Sequence, residues 1–508
     1  MSTATMARST LIVATCSAAS YGLGLLRDRL LASYFGAGVE LDVFNSSFII
    51  PDIITNLFAA AVTTAFIPVF TDVWHKRNQQ AGWQATNNVL NSIGISVLIL
   101  IGLAWLFMPQ LSQLVAPGFN QEQHQLLIHT TRLLLLSPLL FGVSLTIGSA
   151  LQGIDRFVSY AIAPLLYNIG IVGGIILFTP RLGIVGAILG VIVGALLHAG
   201  IRLFELWRQG WRWQWYWQPG DIALQHTVTM MLPRVITLLS VQVNLWVYNA
   251  LGSTLPAGSI SVFNLARNFQ SLPVSLFGIS LATVLFPLLS RHYNQTNHDQ
   301  FTNQLTQGWR QILFFTLPAS VGVMLLAQPL VDTVLGGGKF TAAAVAATSV
   351  TLAMFALAIP TESSQHVLAR GLYARHDAIS PVIVAIISSA INFMVCWLLL
   401  PRFQVVALAA GFVVSSVCQV LLLSWRLQRQ GVQWLTGTAL IDGGKMIAAS
   451  AGMGLGVWLL LQLPLPAMLL LLAGSSLGAL LYLGLSRVLI VPELTSSITM
   501  IKKLINRA

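Results

Sequence analysis

Eight side chains in this sequence carry charge inside long apolar runs: Arg27, Asp28, Asp52, Arg132, Arg234, Arg267, Glu362 and Lys445. At the centre of a membrane helix such a charge costs roughly 2.5 to 3.5 kcal/mol on insertion scales, so it persists by facing a cavity, pairing or reaching an interface. Arginine presents a planar fork that suits two-point contact with phosphate. A cavity holding Arg27 and Arg267 would therefore take an anionic ligand; the bland alternative is that each pairs with a carboxylate for folding. Asp28 reads as a poor partner for Arg27, because adjacent residues diverge on a helix. Arg132 and Arg234 lie nearer the ends of their runs, and Arg29 reads as a boundary residue whose head reaches water. Asp42 opens an apolar segment and reads first as a helix-cap or first-turn acid. Asp52 follows Pro51 and Glu362 lies just after Pro360. Proline frees backbone groups inside a helix, and an acid beside such a kink is either structural or a proton or cation site.

Other chemistry is poorly represented. No zinc-protease, Walker, dinucleotide or nucleophile-elbow motif stands in a workable context. Gly336-Gly337-Gly338-Lys339 reads as a turn, the histidines are scattered singly, and Cys16, Cys396 and Cys418 lie in apolar runs without ligand spacing. The expectation is a protein with no catalytic residues, cofactor or metal, and not an enzyme.

The elements that hold these residues must be membrane helices. The chain of 508 residues is 56% hydrophobic and only 8% charged, against about 25% charged in soluble domains. Fourteen segments of span length can be placed, from 9–35 and 41–72 to 438–462 and 465–490. Lys76, Arg77, Arg156, Arg208, Arg212, Arg291, Arg370, Arg375, Arg426, Arg429 and the tail cations Lys502, Lys503 and Arg507 fall in connectors after even-numbered spans. This places both termini in the cytoplasm. The net charge of +11 is thus a topology signal and not a nucleic-acid surface. Trp207, Trp211, Trp213, Trp215 and Trp217 crowd one connector, as an interfacial belt or an amphipathic surface element. No cleavable signal peptide is expected.

The chain also repeats itself. Val43-Phe44-Asn45 recurs as Val262-Phe263-Asn264, and Pro68 as Pro287, both at a shift of 219 (262 − 43 and 287 − 68). PRLGIVGAILG from Pro180 recurs as PRFQVVALAAG from Pro401, at a shift of 221 (401 − 180). The expected fold is an all-α membrane protein of fourteen transmembrane helices: two six-helix lobes related by a parallel repeat, plus two extra C-terminal helices. The expected boundaries are 1–218 for the N-lobe, 219–431 for the C-lobe and 432–508 for the last two helices and tail. Parallel-repeat transporters bind substrate between such halves.

The run GLLRDRLLASYFGAGVELDVFNSSFIIPDIITNLF resembles the N-terminal signature of the MurJ/MviN lipid II flippases, in the multidrug/oligosaccharidyl-lipid/polysaccharide exporter superfamily. VAPGF at Val115 to Phe119, NLARNFQSLPVSLFGISLATVLFPLLS from Asn264, GKFT from Gly338 and LARGLYARHDAISPV from Leu368 extend the likeness over nearly the whole chain. The resemblance implies a cationic cavity and outward movement of undecaprenyl-diphosphate-linked disaccharide pentapeptide, lipid II, across the cytoplasmic (inner) membrane by alternating access. It implies substrate binding by Arg27, Arg267 and Asp42, with Asn45 and Asn56 as further binding candidates; Asn244 and Asn392 match polar positions of the family and join Asp52 and Glu362, singled out by their prolines, as cation or coupling candidates. It also implies a prenyl groove on the last two helices, membrane lipids as surroundings, and cell-wall synthesis machinery as a candidate partner. The sequence departs from the family pattern at Tyr21, Thr55 and Asn56, which replace arginines, and at Asp52, Ala59 to Ala61, Tyr248-Asn249 and Cys396. A flippase for another polyprenyl-diphosphate saccharide, a drug/cation antiporter and a non-transporting scaffold remain alternatives.

Overall fold

The computed structural model describes residues 3–495, and every element in it is helical. The tail cations Lys502, Lys503 and Arg507, and the side chain of Arg234, lie outside the described residues. By its internal contacts the chain divides into two units, Met1–Ser261 with Gly338–Phe340, and Val262–Gly337 with Thr341–Ala508.

The first unit begins with α1 (Thr3–Phe35), which stops at Gly36 with φ +66. A side chain there is barred twice: by the left-handed backbone, and by the Lys339 carbonyl 2.5 Å from where a Cβ would stand. The following apolar run, expected from sequence as one helix, is broken into α2 (Val39–Ser47), α3 (Ile49–Ile54), a π-helical segment (Thr55–Ala60) and α4 (Ala61–Lys76). Pro51 has no N–H to give, and side chains take up carbonyls at the transition. Thr55 Oγ1 donates to Pro51 O (2.8 Å) and Asn56 Nδ2 to Asp52 O (2.9 Å). Then come α5 (Gln79–Leu106), α6 (Met108–Val115), α7 (Gln121–Leu134), α8 (Leu136–Gly153), α9 (Val158–Leu182), α10 (Ile184–Arg208) and α11 (Ile222–Ser253). Helices α9 and α10 approach most closely at Gly174 and Gly190, where an added Cβ would stand 2.1 Å from the opposing Cα.

The Trp-rich connector between α10 and α11 is an extended strap lashed to α5. Asn87, Asn88 and Asn91 donate to the carbonyls of Arg212, Gln218, and Gln214 and Tyr216, at 3.0 to 3.2 Å. Trp211 is buried, whereas Trp213, Trp215 and Trp217 are exposed, as an interfacial belt requires.

The second unit repeats the first. It comprises α12 (Ser259–Pro273), a second π-helical segment (Val274–Ile279), α13 (Ser280–Asn294), α14 (His298–Leu325), α15 (Ala327–Leu335), α16 (Ala342–Ala356), α17 (Ile359–Ala374), α18 (Ile379–Phe403) and α19 (Val405–Arg429). The two π segments stand at a shift of 219 (274 − 55), the breaks at Phe107 and Leu326 likewise (326 − 107), and the breaks at Leu135 and Leu357 at 222 (357 − 135). Gly183 (φ +55) is matched by Gln404 (φ +49) at a shift of 221 (404 − 183). The duplication read from a few side chains therefore extends to backbone breaks. The contact boundary at Ser261 falls later than the boundary expected at 218, because α11 packs on α4 of the first unit.

Helices α20 (Gly437–Leu460) and α21 (Ala467–Val488) pack on α14 through Met446, Met453, Tyr482 and Phe314, and Tyr482 Oη donates to Phe314 O (2.8 Å).

Among the described residues nine helical stretches are long and apolar enough to cross a membrane, and up to eleven if the bent pairs α14–α15 (70°) and α16–α17 (41°) each count as one span. Three of the fourteen expected lie outside that count. They are α1, the broken α2–α4 run and α11, each of which includes residues outside the described set, so the count does not extend to them. The chain is a multi-pass membrane protein.

Candidate substrate-binding sites

Within the first unit, Arg27 does pair with its neighbour, contrary to the sequence reading. Its Nε and Nη2 donate to Asp28 Oδ1 at 3.0 and 2.8 Å. Adjacent Cα–Cβ vectors diverge, but the arginine arm is long enough to curl back across the gap. The pair is unequal: the Arg27 side chain keeps 28% of its surface, that of Asp28 9%. Arg27 thus remains partly neutralised yet reachable, and Nη1 has no hydrogen-bond partner among the described residues.

Asp52 is exposed, and its carboxylate has no hydrogen-bond or ion-pair partner among the described residues. It shares an electrostatic neighbour with Arg27, the Tyr167 hydroxyl on α9. Tyr167 escaped the sequence reading because a single tyrosine in an apolar run carries no formal charge. Asn168, beside it, ties α9 to α1 by donating to Ser20 Oγ (3.0 Å).

Asp42 and Asn45 are mostly occupied with structure. Asp42 is 3% exposed; its Oδ2 accepts from Gly258 N (2.6 Å), and its Oδ1 from Ser261 N (2.8 Å) and Ser261 Oγ (2.6 Å). It holds the Gly258–Ser261 turn within the first unit and offers no open oxygen to a ligand, while in its own helix it stands in the first turn behind the N-cap Gly38. Asn45 donates to Leu41 O (2.9 Å) and reaches Ser261 Oγ (3.5 Å). Asn56 turns back on Asp52 O within the π segment. Asn249 accepts from Ser46 Oγ (3.0 Å) and donates to Val115 O (2.8 Å), so it ties α2 and α6 to α11. Asn244 lies half-buried on α11.

In the second unit Arg267 on α12 is half-buried and within electrostatic range of Glu362 on α17. Glu362 also accepts from Gln270 Nε2, whose residue is 1% exposed. Asn392 is buried between α18 and α19, where Cys396 Sγ donates to its Oδ1 (3.3 Å) and Gly411 leaves room for both. That packing gives Asn392 no open face for a cation. Among the described residues no group of three His, Cys, Asp or Glu could hold a metal.

Two further charges are anchors. Arg132 donates to Trp105 O (3.1 and 3.3 Å) and lies 4.3 Å over the Trp105 ring. Lys445 joins Asp442 (3.3 Å), which Arg310 bridges to Glu493 (2.7 and 2.6 Å). This cluster, absent from the sequence reading, fastens α20 and the segment after α21 to α14.

Comparison with known proteins adds to this geometry. The family described as lipid II flippase MurJ matches residues 31–473 of the chain. The chain belongs to the MurJ family. A relative named probable lipid II flippase MurJ, from Vibrio cholerae, is 30% identical over 458 residues, 84% of each chain. A solved MurJ structure, titled as an inward closed conformation, superposes with a TM-score of 0.81 at 23% identity, covering 94% of this chain and 98% of its own. A multidrug resistance MATE transporter of the MOP superfamily in an inward-facing conformation gives 0.71 at 15% identity, covering 82% and 96%. The two superpositions speak for the fold. Membership in MurJ rests on the sequence match.

Proposed function

We propose that this protein moves lipid II, a diphosphate-linked lipid saccharide, from the inner to the outer leaflet of the cytoplasmic membrane, with both termini in the cytoplasm. The reading rests on one observation within the family framework: each unit keeps a half-accessible arginine within an apolar run, Arg27 paired with Asp28 and Arg267 within electrostatic range of Glu362. Two always-charged forks with donors to spare suit a phosphate-bearing ligand, and that ligand's charge offsets the cost of keeping them in a low-dielectric setting. Transport here is movement without covalent chemistry. The surroundings are membrane lipids, and the cell-wall synthesis machinery is the partner that would use the delivered precursor.

The decisive experiment is complementation of a strain depleted of its essential lipid II flippase, paired with a lipid II flipping assay in proteoliposomes. Rescue together with flipping supports the reading. Good membrane expression with neither outcome overturns lipid II as the substrate.

A further inference from the structure

Helix α17 carries polar side chains that the proposed function leaves unused. Glu362, His366 and Arg370 recur every four residues, and Tyr373 follows, so all lie along one face. The first three are half-buried and Tyr373 is 37% exposed, whereas Ser363, Ser364, Val367, Leu368, Gly371 and Leu372 between them are buried against the unit. Glu362 is engaged by Gln270 and faces Arg267. Arg370 gives one nitrogen to Ile279 O (3.2 Å), the last carbonyl of the second π segment. Its other donors, and both nitrogens of His366, have no hydrogen-bond partner among the described residues. Exposure is greatest at the Tyr373 end of the stripe.

We propose that Arg370 and His366, leading to Arg267, form a stepped track on the second unit that takes the diphosphate of a polyprenyl-linked substrate. This rests on the functional reading above and adds residues and direction to it. The step from Arg370 to His366 is about one helical turn, roughly 5.4 Å, so an anion can engage the second group before leaving the first. Arg370 stands at the open end. A guanidinium with free donors can take a phosphate edge there while one nitrogen stays on Ile279 O. His366 supplies a second donor. Glu362 repels an anion at the far end, and Arg267, within its electrostatic range, is the last fork to take one. The corresponding face of α8, at the shift of 222 set by the helix breaks, bears Leu140, Ser144 and Gly148. The track is thus a property of the second repeat alone.

The test measures binding of undecaprenyl diphosphate to the purified full-length protein by native mass spectrometry, with inorganic pyrophosphate as competitor and thermal unfolding followed in parallel. Arg370→Met should weaken binding about tenfold, and His366→Gln by roughly threefold, with Arg370→Lys between them. The unfolding temperature should not change, and Arg132→Met should bind normally. Wild-type affinity in both Arg370→Met and His366→Gln overturns the track while leaving the functional reading intact. So does an affinity loss that tracks falling stability, since Arg370 would then only cap the Ile279 carbonyl. If pyrophosphate fails to compete and the same variants lose phosphatidylglycerol equally, the ligand is a bulk headgroup and the proposal fails. Absence of any polyprenyl-diphosphate binding by the wild type overturns the track and the functional reading together.

Discussion

Two His–Arg pairs at helical spacing, one in each unit, have opposite fates. His198 and Arg202 on α10 are 5% and 3% exposed. His198 Nδ1 shares a hydrogen bond with Ser144 Oγ (2.8 Å), Arg202 Nη1 donates to Ser144 O (3.1 Å), and Gly148 is small enough to leave space for the guanidinium. Arg202 meets no carboxylate in an ion pair among the described residues, and its Nε has no partner there. His366 and Arg370 on α17 have the same spacing but remain half-exposed. A cation with this pattern is packing material in one place and an available site in the other. The difference lies in what the neighbouring helix supplies: a glycine and a serine carbonyl close over Arg202, while the π segment offers Arg370 a single carbonyl.

The sharpest way to break this contrast is at the arginines placed with the accessible class. Arg27→Ala and Arg267→Ala should each reduce flipping by about 100-fold while membrane levels hold, since each removes charge-assisted donors worth about 1.5–3 kcal/mol apiece. Arg27→Lys should recover only part, because a point charge loses the two-point geometry. Normal flipping by Arg27→Ala in a calibrated assay would move Arg27 into the packing class. Next, Arg202→Met should change transport less than about twofold and keep or raise the unfolding temperature, because a buried cation replaced by an apolar side chain of similar shape is often neutral or stabilising. A transport loss there comparable with that of Arg370→Met would erase the distinction between the pairs.

Asp42→Ala probes a buried acid with a purely structural task. It should cost about 1–3 kcal/mol of stability through the stranded Gly258 and Ser261 amides, read as a lower unfolding temperature with residual transport retained. The smallest effect concerns the connector after α17. Burial pushes the Asp377 carboxyl up, but hydrogen bonds from Ser380, Gln430 and Arg426 outweigh it and hold the pKa below the ordinary value. Its stabilisation is therefore present above the unfolded value, about 3.9, and fades as pH falls through the lower folded one. Proteolytic nicking between Ala374 and Ile379 should rise only below that range, and Asp377→Asn should be nicked faster at neutral pH.

Much of the architecture was legible because membrane helices and repeats leave long-range signatures: apolar length, basic connectors and residue matches at a constant shift. What escaped was the backbone break within a run and the particular partner of each side chain. The α2–α4 run looked continuous because hydrophobicity does not report a π turn, although Pro51 pointed to a disturbance. Arg27 and Asp28 were read as unpaired because spacing fixes Cβ directions but not the reach of a long side chain. Asp42 was read as an N-cap or first-turn acid of its own segment and does stand in that first turn, but its carboxylate holds the Gly258–Ser261 turn more than 200 residues later, which no local pattern shows. The Arg310–Asp442–Glu493 cluster was invisible for the same reason, its members lying on elements far apart in sequence.

The paired π-helical segments also share a register. A π turn accommodates one more residue than the α-helix around it needs. Matches on either side of it, Phe44 with Phe263 and Pro68 with Pro287, keep the same shift of 219, so neither copy gained or lost a residue there relative to the other. The wider turn thus stands at the same register in both repeats, where each helix can yield without disturbing the residues on either side.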